Sequence, residues 1–373
     1  MNLKNDAVLS PATVADVTAG WLSPILAAEG VASPLTGVRI QPLGEGVGEM
    51  SQVARVHLDY GPSESGTGPD SVIVKLSSSL PKRIEMAVEM STYKREFRFY
   101  ETIGDDSPLR SPRCHHREID DDGARFVLVM EDFPHHIPGD DVAGCTVEQA
   151  ALALKSVASL HARYWRTQDP ALHRTFARHD ASHGPSIAAK VGSSWATMIA
   201  DFGDLLPERL RGMRDEYLAA LRSLQTWLSE DATIVHGDFR LDNLMFGPPG
   251  HPDAFVALDW QGIMRAKGIQ DVSYLVTHCM DTEVRRRHEQ DLLGVYSAAL
   301  GRHGVTYGPE QAWHEHRLAT LLFFSYGVVV CGSLKTDNPR ARRRAAGLVR
   351  RLGQTLLDHD SITLIDEINT KGV

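Results

Sequence analysis

The stretch "HGDFRLDNLMF" (His236–Phe246) places two aspartates, an asparagine, a histidine and an arginine between an apolar entry (Ala232, Ile234, Val235) and a Gly-Pro-Pro-Gly turn. A buried strand avoids charge, and a solvated loop has little use for the Leu and Met near its end. The polar groups therefore either satisfy one another around a tight turn or hold something cationic. Asp238 and Asn243 are five apart on what reads as a loop, and Asp259 follows at the end of the strand-like "FVALD". A hard cation such as Mg²⁺ takes oxygen ligands and is held by one or two carboxylates plus substrate phosphates. Asn243 and Asp259 could supply such ligands, which leaves Asp238 to face an acceptor hydroxyl.

The elements that would carry these groups can be read along the chain. Ser10-Pro11 offers an N-cap and an N1 proline, so a short helix is expected to about Trp21. "VARVHLDY" alternates, with Val56, Leu58 and Tyr60 on one face, which predicts a half-buried strand. "SVIVKL" predicts a more buried strand that carries one lysine, Lys75. A helix follows through Tyr93–Tyr100 with Phe97 and Tyr100 on one face, and then strand-like "RFVLVM" runs into "EDF". From about Val147 the pattern is helical, and the only strand signals there flank the opening motif. A strand-rich first third therefore precedes a helix-rich remainder.

The first third also holds groups suited to phosphate. "GEGVGEMSQVARV" is a glycine-rich turn leading into a strand, an order that fits a phosphate-covering loop or a plain hairpin turn and not a Rossmann turn. Lys75 inside an apolar strand needs an anionic partner, and Glu96 on the following helix could be that partner. The spacing D-x-x-x-x-N followed by a strand-borne Asp matches the catalytic loop and metal-binding aspartate of the protein-kinase fold.

"HGDFRLDNLMF", "ALDWQG" and "GIQDVSYL" resemble the aminoglycoside phosphotransferase/choline kinase group of small-molecule kinases. "SVIVKL", "YKREFRFYETI", "FVLVMEDF" and "RRRHEQDLLGVYSAAL" are similar to its ecdysteroid-kinase-like branch, and the "HGDFRLDN" core is also similar to kinase domains fused to some acyl-CoA dehydrogenases. The resemblance implies an α+β, bilobal protein-kinase-like fold. A small β-rich lobe (1–131, hinge near 129–134) would precede a larger helical lobe (132–373) with the catalytic loop at 236–243, and the nucleotide would sit in the cleft between them. It implies transfer of the γ-phosphoryl group of ATP, with GTP as the alternative, to a hydroxyl of a small molecule, with Mg²⁺ as cofactor.

Carried onto this chain, Asp238 would be the catalytic base, and Asn243 and Asp259 the metal ligands. Lys75, backed by Glu96, would hold the α/β-phosphates. Gly46, Gly48 and Ser51 would cover the phosphates, and the backbone of Met130, Glu131 and Asp132 would read the base. His236 and Asp271 would brace the catalytic loop. Arg240 either neutralises the transferred group or pairs with Asp242 on the loop surface. The sequence departs from the commonest patterns in two places. The metal-Asp segment reads D-W-Q, and the glycine loop is G-x-G-x-G. The other reading is a nucleotide-binding pseudokinase without turnover, against which Lys75, Glu96, Asp238, Asn243 and Asp259 are all present.

Composition bounds the alternatives. The net charge of −9 over 373 residues argues against a nucleic-acid-binding protein. Four scattered cysteines form no C-x-x-C, and "MNLKNDAVLSPATVADV" lacks a signal-peptide core, so a cytoplasmic protein with reduced thiols is expected. "LATLLFFSYGVVVCGSL" (Leu318–Leu334) approaches a membrane-spanning length but contains Thr320, Ser325, Tyr326 and two glycines, which favours a buried helix and no membrane contact. His115-His116, His135-His136 and His314-Glu315-His316 lack zinc-site spacing and are expected to be solvated. The S-x-x-K at Ser79–Lys82 lacks the other motifs of acyl-transfer enzymes. The basic run Arg340–Arg351 is expected to be the solvated face of a late helix. The acceptor pocket is expected within Thr167–Leu228 and after Asp271, where Trp195, Phe202 and Trp227 read as core; the acidic balance favours a cationic acceptor.

Overall fold

The computed structural model describes residues 10–44, 50–62, 68–334 and 338–373, with the backbone alone for 180–186. Gly46 and Gly48 lie outside the described residues. The chain forms two compact units, one of residues 1–106 and 111–134, the other of 107–110 and 135–373.

Among the described residues the first unit is a five-stranded antiparallel sheet with three α-helices. Its elements are α1 (Ala19–Ala28), β1 (Leu35–Leu43), β2 (Ser51–Tyr60), β3 (Ser71–Ser77), α2 (Pro81–Glu89), α3 (Thr92–Thr102), β4 (Cys114–Ile119) and β5 (Phe126–Glu131). The strand order is β1-β2-β3-β5-β4. Two-residue alternation puts Val72, Val74 and Leu76 of β3 on the face that packs against Trp21, Leu22 and Leu26 of α1, with Val56, Leu58, Val127 and Val129 from the neighbouring strands. Lys75 therefore projects from the opposite face, on a strand whose central position leaves it buried.

Two expectations change here. The first α-helix starts at Ala19, not after Ser10-Pro11, because the Thr18 hydroxyl accepts the Trp21 amide at 3.2 Å and caps it. On α3 the buried stripe is Tyr93, Glu96, Phe99 and Tyr100, while Phe97 is only half-buried.

The second unit is mostly helical. It contains β6 (Ile137–Pro138), α4 (Val147–Arg163), α5 (Pro170–Thr175), α6 (His179–Phe202), α7 (Glu208–Arg211), α8 (Arg214–Ser229) and four short strands, β7 (Thr233–Val235), β8 (Leu244–Phe246), β9 (Phe255–Ala257) and β10 (Met264–Ala266). The helices α9 (Ile269–Cys279), α10 (Thr282–Arg302), α11 (Pro309–Gly332), α12 (Pro339–Asp358) and α13 (Ser361–Lys371) complete it. β7 pairs with β10, and β8 lies between β6 and β9. These strands are too short to hold a sheet alone; they pin the loops between them, and those loops carry the polar motif.

The apolar stretch from Leu318 is the buried part of α11. Among the described residues no helix is long and apolar enough to cross a membrane. Trp195, Phe202 and Trp227 are buried core residues. The histidines correct an expectation. His316 is fully buried and His136 nearly so, each bonded within the protein, because a helix face or turn that carries His can still point inward once a partner is supplied.

Candidate active site

The turn after β7 is held from behind. Asp271, in the first turn of α9, accepts the backbone amides of His236 (2.7 Å) and Gly237 (2.9 Å). Its carboxylate also meets His161 Nε2 at 3.2 Å, and His161 Nδ1 meets the Tyr296 hydroxyl at 2.9 Å. This buried carboxylate is thus surrounded by donors, the arrangement a buried charge requires. His236 donates from Nε2 to the Leu258 carbonyl (2.8 Å), which leaves Nδ1 to accept the Asp238 amide (3.3 Å) and fixes the tautomer.

Two glycines make the crossing possible. Gly237 has φ +81°, and a Cβ there would lie 2.0 Å from the Gly262 carbonyl oxygen. A Cβ at Gly262 would lie 2.9 Å from the Asp238 amide nitrogen. The segment after Asp259 therefore runs directly against the backbone that carries Asp238. Neither glycine stood out in the sequence reading; their signal was their place, one after the strand "TIVH" and one three residues after "LD".

The carboxylate of Asp238 is held on one edge and open on the other. Its Oδ2 accepts from Asn243 Nδ2 (2.9 Å) and Arg240 Nε (3.3 Å), and its side chain stays 30% exposed. Asn243 is buried, and with Nδ2 spent on Asp238 its Oδ1 faces the other way. Leu258 bonds through its amide to the Asn243 carbonyl (2.8 Å) and through its carbonyl to His236. Asp259, the next residue, is thus tied between both ends of the loop. It sits at φ 59°, ψ 71°, a left-handed conformation that costs a non-glycine residue energy and collects at functional sites.

Arg240 does not lie on the loop surface. Its Nη1 donates to Asp141 (2.7 Å) and to Asp242 (2.8 Å), so it binds three carboxylates at once. Burial opposes its charge, but Asp238 and Asp141 outweigh that and hold its pKa well above the ordinary arginine value. The basic run of α12 is a solvated face only in part: Arg342, Arg343 and Arg350 are exposed, while Arg340, Arg344 and Arg351 bond within the protein. Arg344 donates to Asp141 (2.9 Å), Arg340 to Asp140 (3.0 Å), and Arg351 to the carbonyls of Asp141 (2.8 Å) and His278 (2.7 Å). Desolvation alone would raise the Asp141 pKa; Arg240 and Arg344 reverse this and bring it below the usual carboxylate range.

The sheet unit holds its own group of expected residues. Lys75 Nζ lies 2.9 Å and 2.7 Å from the two carboxylate oxygens of Glu96, and both side chains are buried. Ser51 opens β2 and Met130 and Glu131 close β5. Asp132 is bound through its side chain to Arg55 (2.6 and 3.0 Å) and to the Ser71 hydroxyl (2.5 Å), so only its backbone is left for any ligand.

The ecdysteroid kinase-like family model matches residues 45–306, more than half of the chain and including Lys75, Glu96, Asp238, Asn243, Asp259 and Asp271. The chain belongs to the ecdysteroid kinase-like family. A relative from Caenorhabditis elegans, the uncharacterised oxidoreductase dhs-27, is 23% identical over 339 residues; the match covers 82% of this chain but 40% of that protein. Mouse acyl-CoA dehydrogenase family member 10 is 33% identical over 95 residues, 21% of this chain and 9% of its own length. The chain thus spans less than half of either relative.

Among solved structures, a choline kinase from Cryptosporidium parvum aligns with TM-score 0.54 at 9% identity, covering 90% of this chain and 93% of that one. An aminoglycoside phosphotransferase-type protein from Ralstonia eutropha aligns with TM-score 0.51 at 15% identity, covering 92% and 97%. At such low identity these likenesses show the fold: α+β and kinase-like, with an antiparallel sheet unit followed by a larger helical one.

Proposed function

We propose that this ecdysteroid kinase-like protein is a phosphotransferase that moves the γ-phosphoryl group of ATP to a hydroxyl of a small molecule. The observation that carries this reading is the state of Asp238. Its carboxylate is fixed by Asn243 and Arg240 on a loop braced by Asp271, yet one edge is open to a substrate.

In the proposed reaction Asp238 accepts the acceptor's hydroxyl proton as the oxygen forms its bond to the γ-phosphorus and the β–γ oxygen–phosphorus bond breaks, releasing ADP. Phosphoryl transfer asks for positioning and charge stabilisation more than for covalent participation. Arg240 acts as a positioning residue that holds the Asp238 carboxylate in one orientation. Asn243 Oδ1 and the Asp259 carboxylate are hard oxygen donors, the chemistry that Mg²⁺ requires. When bound, the metal supplies charge neutralisation at the phosphates. In the sheet unit Lys75, held extended by Glu96, fits a phosphate-binding role, and the backbone of Met130, Glu131 and Asp132 a base-reading one.

The test is phosphoryl transfer by the purified protein with Mg-ATP and a broad set of hydroxyl compounds, with Asp238→Ala as the comparison. The reading expects a phosphorylated product that the variant does not make. Binding of Mg-ATP with no product above the variant's level would leave the pseudokinase reading instead.

A further inference from the structure

A small recess of about 20 Å³ opens beside Arg240 within the helical unit. It is far smaller than the pockets that enclose a whole drug-sized ligand, so it admits no more than one small terminal group. Three guanidiniums line it, those of Arg240, Arg344 and Arg351, against one carboxylate, Asp141. Arg240 and Arg344 both lean on Asp141. Arg351 bonds only to backbone carbonyls, those of Asp141, Val142 and His278, and has no carboxylate partner among the described residues. Behind the wall Asp140 is paired with Arg340, and Asp242 is spent on Arg240, Arg340 and the Asp141 amide. Arg240 is met by Asp141, Asp238 and Asp242, and Arg344 by Asp141, so Arg351 is the guanidinium of the lining that lacks a carboxylate among the described residues.

The remaining wall points the same way. The Tyr274 hydroxyl and both ring nitrogens of His278 are buried and have no hydrogen-bond partner among the described residues. Burial drives the His278 pKa down to about 3 and the Tyr274 pKa well above its ordinary value, so both are neutral and each offers a donor. Unpaired buried polar groups are costly, and a ligand atom would relieve that cost. The recess adjoins the catalytic loop, since Arg240 bonds to Asp238 and the Asp238 charge bears on Tyr274. The rings of Tyr274, His278 and Tyr326 pack against one another, with centroids 4.4 and 5.5 Å apart from Tyr274, so their faces form no open cage for an ammonium group.

We propose that this recess seats an oxyanion of the acceptor, a carboxylate or phosphate ester, beside the hydroxyl that meets Asp238. The proposal rests on the phosphotransferase reading and names its substrate class; it runs against the cationic acceptor that overall acidity suggested.

The test uses the full chain and sets of alcohols that share a skeleton: hydroxy acids and diol monophosphates, their amide counterparts and their amine counterparts. Turnover is followed with Mg-ATP, and binding by calorimetry with a non-hydrolysable ATP analogue present. An oxyanion-bearing alcohol is expected to exceed its amide counterpart in kcat/KM or affinity by about tenfold or more, with the amine weakest. Arg344→Gln and Arg351→Gln, each checked for a cooperative melt, should each raise KM or Kd for the oxyanion compound and shrink the acid-over-amide preference about tenfold. Amides or amines used as well as acids, no binding by any acid, or a preference unchanged in both variants would overturn the proposal. Turnover confined to neutral or cationic alcohols would leave the phosphotransferase reading intact. Failure to bind Mg-ATP at all would remove both.

Discussion

Two knots of charge lie in the helical unit, built from the same residue types and finished differently. Around Glu289, one buried carboxylate serves Arg285 (2.7 Å), His359 (3.1 Å) and His316 (3.7 Å), and Asp358 meets Arg285 from the end of α12. Its three His/Glu donors lie close enough together to ligate one ion. Arg285, however, already supplies the counter-charge on the same oxygen, so this knot reads as a clamp joining α10, α11 and the end of α12. Around Asp141 the carboxylates also meet arginines, but Asp238 keeps an open edge and Tyr274 and His278 line a recess with unpaired polar atoms. The comparison teaches that burial and ion pairing alone do not mark a site. Nor do unpaired buried atoms, since among the described residues Arg285 Nε, His316 Nε2 and His359 Nδ1 lack hydrogen-bond partners in the first knot as Tyr274 and His278 do in the second. What marks the site is that in the second knot such groups face a recess beside a carboxylate with an open edge.

The largest expected effect breaks this comparison at its open end. Asp238→Asn should lower kcat about 10²–10⁴-fold, the usual worth of a positioned base, with the melting temperature little changed. A stability loss without a rate loss would make Asp238 one more clamp. The Lys75–Glu96 pair applies the same rule in the sheet unit. Lys75→Met takes its cation from the buried Glu96 carboxylate and should cost about 3–5 kcal/mol of stability as well as Mg-ATP affinity. Lys75→Met with Glu96→Leu should restore stability but not nucleotide binding; recovery of both in a calorimetric titration would assign the pair a purely structural role.

How far the sequence carried each knot is instructive. The loop from His236 to Asn243 was legible because polar groups packed between aliphatics need partners, and Lys75 because a charge in an apolar strand needs one too. The alternation of β2 was legible for the same physical reason, a sheet with one buried face. The partners of Arg344 and Arg351 were not. A helical period shows that α12 has a basic face; it does not show that Asp140 and Asp141, some 200 residues earlier, lie against it. The burial of His316 escaped for a similar cause, since its partners Ser273 and Glu289 come from two other helices. Nor could spacing reveal that Gly237 and Gly262 touch, because close approach of two backbones leaves no pattern in either.

The closed knot offers a smaller effect. Glu289→Gln removes the charge that Arg285 and the two histidines share and should cost about 3 kcal/mol, lowering the melting temperature by several degrees, while phosphoryl transfer below that temperature is unchanged. A rate loss beyond the stability loss would join the two knots into one functional unit. Smallest for each group involved is the pH response. His316 is pushed down to about 4 and His278 to about 3, first of all by burial, so both stay neutral in the folded protein. The unfolded chain takes up those protons near pH 6.5, so their stabilisation is complete above that pH and is lost as pH falls from 6.5 towards 4. Glu289, whose pKa its histidine and arginine partners depress despite burial, adds a further loss below about pH 4.3. Thermal melts across this range should show a decline on the order of 2 kcal/mol for each of the two histidines by pH 5. A melting temperature flat down to pH 4 would contradict the neutral assignment.

The most direct test of the whole account is the rate of ATP-dependent phosphate-ester formation by three proteins side by side: the parent, Glu289→Gln and Asp238→Asn, with the product identified by phosphorus NMR. The account predicts equal rates for the first two and a loss of about 10²–10⁴-fold for the third. Ester formation by Asp238→Asn at the parent's rate would contradict it.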